Sequence, residues 1–289
     1  MASLLRVLLL AVLALLGGCG PARPGPAGAG AAPVRVVSQT VGTDDLLVAL
    51  AGPGQIAALS HLARDSRYCP SAAVAAGYPC LRNGEAEDIL RFKPDLVLAA
   101  SYTQAETVAL LRRAGVRVLV LEKFETLEDL YADARLIGSA LGRPAQAEAL
   151  IAAWRARVRG LDARLQGCTP VRALAVGFYP FTAGAGTTFQ DICAHAGAVN
   201  VAAEAGLKGH AATPSERVLT WKVDVLVAPW EEGMDLNARL GELAPYKFMP
   251  AYRQGRVVAM PGALMASTSQ ARIDAYEWLA RALHPEAFR

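Results

Sequence analysis

The chain has 289 residues, 29 basic and 26 acidic side chains and a formal charge of +3. Its hydrophobic fraction of 53% excludes a disordered chain, and its length suffices for one large domain or two lobes with proper cores. The basic residues form no stripe or run, so a nucleic-acid partner is not expected.

Taken in chain order, residues 1–18 carry one positive charge and then an apolar run too short to span a membrane, as in an export signal peptide. Leu16-Gly17-Gly18-Cys19 follows and resembles a bacterial lipobox, which makes Cys19 the expected lipidation site and mature N-terminus. Residues 19–33 are Pro, Gly and Ala almost throughout, which suits a tether between a membrane anchor and a folded body.

From residue 34 strands alternate with helices. Residues 34–38 read as a β-branched strand, residues 43–50 as a helix opening on Thr43, and residues 56–60 as a second strand. Residues 85–92 give a short helix, Asp95-Leu96-Val97-Leu98-Ala99-Ala100 a buried strand, residues 103–114 an amphipathic helix and residues 116–121 a fourth strand. Two helical runs come next, 126–141 and from Pro144 to about Leu165. The second is roughly 30 Å long and, with no internal Pro, is expected to be a stiff interlobe connector. The pattern then returns: strands at 171–176, 224–228 and 256–260, and helices at 189–196, 215–219 and 272–283. This alternation predicts an α/β chain of two lobes with mostly parallel sheets, an N-terminal lobe over 34–125, linking helices over 126–167 and a C-terminal lobe over 168–289.

Four cysteines remain beside Cys19. In an exported chain an even count favours disulfides, and although three pairings are open, the pairs close in sequence, Cys69–Cys80 and Cys168–Cys193, are the expected ones. No C-x-x-C or H-x-x-x-H spacing occurs, so neither a metal site nor a cofactor is expected. Gly-x-Ser-x-Gly and Walker A sequences are absent as well, and no acid/base pair stands at informative spacing, which argues against an enzyme. Ligand contacts in α/β lobes come from loops at the carboxyl ends of strands. That rule selects His61, Arg64, Arg67 and Tyr68 after the second strand, Tyr102 after the third, Phe178, Tyr179 and Phe181 after the strand at 171–176, and Trp230 after the strand at 224–228.

The ordered set Arg35-Val36-Val37-Ser38, Thr43-Asp44-Asp45-Leu46-Leu47, residues 87–98 ending in Lys93-Pro94-Asp95-Leu96-Val97-Leu98, Leu136-Ile137-Gly138, Gly186-Thr187-Thr188, Ala196-Gly197-Ala198-Val199-Asn200 and Ser215-Glu216 resembles the ABC-transporter substrate-binding proteins of the iron(III)-siderophore and vitamin B12 type. The resemblance implies a class III fold: two α/β lobes joined by a long helix. It also implies a metal chelate or corrinoid held between the lobes and delivered to a permease dimer driven by an ATPase. It further implies that Glu87 and Glu216, which hold equivalent places in the two repeats, meet arginines of the permease. The second lobe departs from the pattern with Lys222-Val223-Asp224 in place of Lys-Pro-Asp. Two alternatives stand beside this reading: a haem receptor or scavenger with His61 and a tyrosine as iron ligands, and a surface-anchored enzyme on the same scaffold.

Overall fold

A computed structural model describes Ala32, residues 35–177 and residues 181–289. The signal peptide, Cys19, most of the tether, Phe178 and Tyr179 lie outside the described residues.

The first lobe contains β1 (Val36–Ser38), α1 (Val41–Leu50), β2 (Ile56–Ala58), α2 (Ala72–Ala75), α3 (Ala86–Leu90), β3 (Leu96–Ala100), α4 (Ala105–Arg113) and β4 (Arg117–Leu121). Then come α5 (Leu127–Ala140) and α6 (Pro144–Leu165). The second lobe contains β5 (Val171–Ala175), β6 (Phe181–Ala183), α7 (Thr188–His195), β7 (Ala198–Asn200), α8 (Val201–Glu204), β8 (His210–Ala212), β9 (Val225–Trp230), α9 (Leu236–Glu242), α10 (Pro250–Arg253), β10 (Val257–Pro261), α11 (Gly262–Met265) and α12 (Ala271–Leu283). Each lobe is built on a four-stranded parallel sheet, ordered β2-β1-β3-β4 in the first and β7-β5-β9-β10 in the second. In both lobes the order is therefore second, first, third, fourth.

The repeat extends to single hydrogen bonds. In the first lobe the Asp95 carboxylate accepts from the Arg35 amide at 3.0 Å, while Arg35 Nε donates to the Phe92 carbonyl at 2.8 Å. In the second lobe the Asp224 carboxylate accepts from the Arg172 amide at 3.0 Å, and Arg172 Nε donates to the Lys222 carbonyl at 2.7 Å. Lys222-Val223-Asp224 thus does the work of Lys93-Pro94-Asp95 without the proline. The side-chain hydrogen bond to the strand start is what the site requires, and either backbone supplies it.

One hydrophobic cluster crosses both lobes. Leu46, Leu47 and Leu50 of α1 join Tyr131 and Ile137 of α5, Ile151, Trp154 and Val158 of α6, Phe189 and Ile192 of α7, and Ile273, Tyr276 and Leu279 of α12. Helix α6 starts with Pro144 in its first turn and ends at Leu165, as its sequence indicates. It carries one glycine, Gly160, whose missing Cβ faces open space. The lobes are also tied near their edge: Asp45 of α1, buried, accepts from Ser269 Oγ at 2.6 Å, and Gln270 Nε2 donates to the Asp45 carbonyl at 2.9 Å.

Several expectations need correction. Helix α1 is capped by Thr40 rather than Thr43. Thr43 is the third residue of its capping box, and the expected first-turn acids Asp44 and Asp45 are buried in hydrogen-bonded networks. Residues 217–220 form a 3-10 turn instead of an α-helix. The expected Cys69–Cys80 and Cys168–Cys193 disulfides are not formed; all four residues are free thiols. Cys69 Sγ is directed at the Asp45 carboxylate (3.5 Å), Cys80 Sγ at the Tyr78 carbonyl (3.8 Å), and Cys193 is fully buried in α7. Burial pushes the Cys69 thiol up to about 12.

Burial also raises two carboxyl groups. Asp44 lies at about 6, desolvation outweighing its bonds to Ser38 and Ser60. Asp133 of α5, with one carboxyl oxygen buried and unbonded, lies at about 7; desolvation dominates, Asp129 and Glu125 push the same way and Arg272 opposes them. A carboxyl whose pKa is higher in the folded state binds protons more tightly there. Its contribution to stability is complete below the unfolded value of 3.8 and disappears as pH rises through the folded value. Asp133 therefore lowers stability progressively between pH 4 and pH 8. Asp133→Asn is expected to raise the melting temperature at pH 8 and to change it little at pH 4. Equal shifts at both pH values would show that Asp133 ionises as freely in the folded chain as in the unfolded one.

Candidate functional site

In an open parallel sheet, loops leave in opposite directions where the strand order reverses, and they leave a crevice at the carboxyl ends. Here that point lies between the first and third strands of each lobe, β1/β3 and β5/β9. In the second lobe, Val176 and Gly177 beyond β5 and Pro229 and Glu231 at the end of β9 wall a cleft of about 600 Å³. The first lobe contributes Arg67 and Tyr68, and the segment entering α5 contributes Phe124 and Glu125. Phe181, Thr182 and Ala183 of β6, Phe189 of α7, His210 of β8 and Met265 of α11 also belong to the lining.

The lining is mainly apolar and aromatic, and four of its side chains show how it is held. Tyr68 and Phe181 are about half exposed, which for large apolar surfaces on opposite lobes marks faces available to a ligand. Phe124 is braced from behind by Tyr102, edge to face with ring centroids 5.5 Å apart. The Arg67 guanidinium lies 5.5 Å from the Tyr68 ring centroid and forms a two-pronged pair with Asp65, Nε to Oδ1 at 3.0 Å and Nη2 to Oδ2 at 2.6 Å. Among the described lining residues Arg67 carries the permanent positive charge, and Glu125 and Glu231 line the same cleft. With Asp65 already engaging Arg67, the cleft offers little net attraction for a polyanion.

A second pocket of about 460 Å³ lies within the first lobe at the β1/β3 reversal, lined by Gln39, Thr40, Ser60, His61, Asn83, Gly84, Tyr102 and Thr103 among others. Its floor is ordered by Thr103 Oγ1, which donates to Gln39 Oε1 at 2.7 Å. Tyr102 and Phe124 form the wall between pocket and cleft.

The residues selected from sequence therefore separate into groups. Tyr68, Arg67 and Phe181 line the cleft, whereas His61 and Tyr102 line the neighbouring pocket. Arg64 lines neither: its guanidinium donates to the Tyr78 carbonyl and fixes the loop after β2. Trp230 ends β9 but lies between two lining residues, Pro229 and Glu231. Trp230 itself is not among the residues that line the cleft. Tyr179 falls outside the described residues. Phe124, His210 and Met265 were not anticipated. Phe124 follows β4, so the strand-end rule could have found it; His210 sits on a three-residue strand and Met265 on a one-turn helix, neither of which has a periodic signature.

Glu87 lies in the first turn of α3, nine residues before the start of β3. Glu216 caps the 3-10 turn at 217–220, nine residues before the start of β9. Both side chains are exposed, and neither forms an ion pair or hydrogen bond among the described residues.

The fold recurs in solved structures. The periplasmic heme-binding protein RhuT from Roseiflexus sp. RS-1 is 24% identical with a TM-score of 0.76, over 88% of this chain and 98% of that one. A periplasmic heme-binding protein from Pseudomonas aeruginosa is 24% identical with a TM-score of 0.74, over 88% and 93%. The periplasmic vitamin B12 binding protein BtuF of Vibrio cholerae is 19% identical with a TM-score of 0.69, over 89% and 98%. No curated protein matches the chain in sequence. The sequence profile of the periplasmic binding proteins matches residues 36–264, which takes in both sheets, both reversal points and the linking helices. The chain belongs to the periplasmic binding protein family, whose members are solute-binding components of ABC import systems and not enzymes.

Proposed function

We propose that the protein captures a flat, largely apolar metal macrocycle of the corrinoid or porphyrin class in the interlobe cleft and delivers it to an ABC permease dimer with its ATPase. The single observation that carries this reading is the cleft lining: aromatic faces from both lobes, Tyr68 and Phe124 against Phe181, around about 600 Å³. Planar aromatic walls suit a planar ligand, and the volume is within the ordinary range for small-molecule sites. A ferric chelate carrying several carboxylates fits less well, since Glu125 and Glu231 face it and Arg67 is already paired with Asp65. Among macrocycles, haem has a specific argument in its favour. Tyr68, His210 and Met265 offer phenol, imidazole and thioether groups to the cleft, and iron in a porphyrin has axial positions to fill. Of the three solved structures compared above, two are named as heme-binding proteins and one as a vitamin B12 binding protein. Export through residues 1–18 and anchoring through lipid on Cys19, with residues 19–33 as tether, belong to the same proposal.

Titration of the purified protein with haemin, cobalamin and a ferric tricarboxylate chelate, followed by tryptophan fluorescence and visible absorbance, tests this. One of the two macrocycles is expected to bind saturably at one per chain and the carboxylate chelate weakly. Tyr68→Ala combined with Phe181→Ala is expected to weaken macrocycle binding at least tenfold. Saturable binding of the carboxylate chelate alone would overturn the macrocycle assignment.

A further inference from the structure

Far from the cleft, in the second lobe, three metal-ligating side chains from different elements converge. Cys168 follows the end of α6, His284 ends α12, and Glu286 lies in the 3-10 turn Pro285–Phe288 that closes the chain. One ligand atom from each, the Cys168 sulfur, a His284 ring nitrogen and a Glu286 carboxylate oxygen, all lie within 4.8 Å of one another. We propose that these residues form a binding site for a borderline-soft divalent ion of the zinc class.

The histidine is set up for this role. It is buried, at 2% exposure, and its Nε2 is 2.9 Å from the Gly197 carbonyl. A carbonyl only accepts, so Nε2 is the nitrogen that donates, and the other ring nitrogen, Nδ1, is left as the one a metal can use. Gly197 permits this contact: a Cβ there would stand 2.7 Å from Nε2. A backbone carbonyl that fixes the outer nitrogen and turns the other towards the metal is the usual outer-shell arrangement of a metal-bound histidine. Nδ1 faces Glu286 Oε1 at 3.6 Å. A cation or a proton between Nδ1 and Oε1 accounts for that approach, and a proton shared by His284 and Glu286 leaves the approach of the thiol unexplained.

The dimensions fit. Bonds of about 2.3 Å to sulfur and about 2.0–2.1 Å to nitrogen and oxygen put tetrahedral neighbours roughly 3.4–3.6 Å apart. The His284–Glu286 separation already has that value, and rotation of the exposed Glu286 and half-buried Cys168 side chains brings the sulfur in. Three protein ligands leave the fourth position to water. Thiolate with imidazole selects zinc-class ions over calcium or magnesium. On binding, the Cys168 thiol gives its proton to solvent and the thiolate forms the metal–sulfur bond, with no change of oxidation state. The ion would clip the final turn, where Phe288 already lies 4.6 Å from the Arg281 guanidinium and 5.7 Å from that of Arg164, to the junction of α6 with the second lobe.

The test uses metal-free purified protein and zinc(II) or cobalt(II) chloride. One zinc per chain is expected by equilibrium dialysis, and cobalt is expected to give thiolate-to-metal charge-transfer absorbance in the near ultraviolet. Cys168→Ser is expected to abolish that band and to weaken zinc binding by more than the roughly 10–100-fold that loss of an outer-shell partner brings. Glu286→Gln is expected to weaken it too. A measurement that needs no variant complements these: zinc should protect Cys168, and none of Cys69, Cys80 or Cys193, from alkylation as mapped by mass spectrometry. Absence of stoichiometric zinc binding, equal affinity in Cys168→Ser, or alkylation of Cys168 at an unchanged rate would overturn the site and leave His284 and Glu286 as an ion pair.

Discussion

Arg272→Met is expected to destabilise the protein by about 3–5 kcal/mol, the range for breaking a buried ion pair from one side. Arg272 is fully buried at the start of α12. Its Nη1 lies 3.3 Å from the Asp191 carboxylate on α7, its Nη2 donates to the Phe124 carbonyl, and its Nε reaches the Ser267 carbonyl at 3.4 Å. Asp191 in turn accepts from the Tyr276 hydroxyl and from the Leu127 amide at 3.3 Å. One guanidinium thus connects α12, α7 and the segment entering α5, which are the parts that meet between the lobes. Methionine restores much of the volume but leaves a buried carboxylate without its cation and a carbonyl without its donor. Urea denaturation should show the loss as a lower midpoint, and a change below about 1 kcal/mol would contradict it. Because Phe124 lines the cleft, ligand affinity should fall in the same variant. Adding Asp191→Leu is expected to cost less than the two single effects together, since the orphaned charge goes with it.

Changing Glu87 and Glu216 together to Ala is expected to leave folding and ligand affinity nearly intact while uptake collapses. Both carboxylates are exposed and unpaired among the described residues, so the stability change should stay within about 0.5 kcal/mol. Their equal distance along the chain ahead of the third strand of each lobe gives the molecule one matched acid per lobe, as a two-fold symmetric partner would require. If each meets an arginine with about 1.4 kcal/mol of charge-assisted bonding, the double variant docks roughly a hundredfold more weakly. Uptake into proteoliposomes containing the permease and its ATPase is the measurement. Full uptake by the double variant would reduce both residues to helix-start acids favoured by the local dipole.

The α/β alternation was legible because the main strands are short apolar runs and because Asp95-Leu96-Val97-Leu98 and Asp224-Val225-Leu226-Val227 open two of them alike. Helix α6 was legible to its ends through Pro144. Strands β6, β7 and β8 were not: they are as short as β1 and β2, but none is marked by adjacent β-branched residues as β1 is, or by an apolar run such as Ile56–Leu59 as β2 is. For the site, the strand-end rule located the correct loops but not the direction of their side chains. It found Tyr68 and Phe181, placed Tyr102 one wall away, and chose Trp230 where its neighbours Pro229 and Glu231 line the cleft instead. Cys168, His284 and Glu286 were invisible for another reason: their spacing along the chain resembles no metal motif, and only the packing of the chain terminus against the end of α6 brings them together.

The most direct measurement is a crystal structure of the protein with haemin or cobalamin, whichever binds more tightly in solution. The macrocycle should lie between the lobes, with Tyr68 and Phe124 on one side and Phe181 and Met265 on the other, and with Trp230 out of contact. Ligand found in the first-lobe pocket beside Gln39, His61 and Thr103, with the interlobe cleft unoccupied, would contradict it.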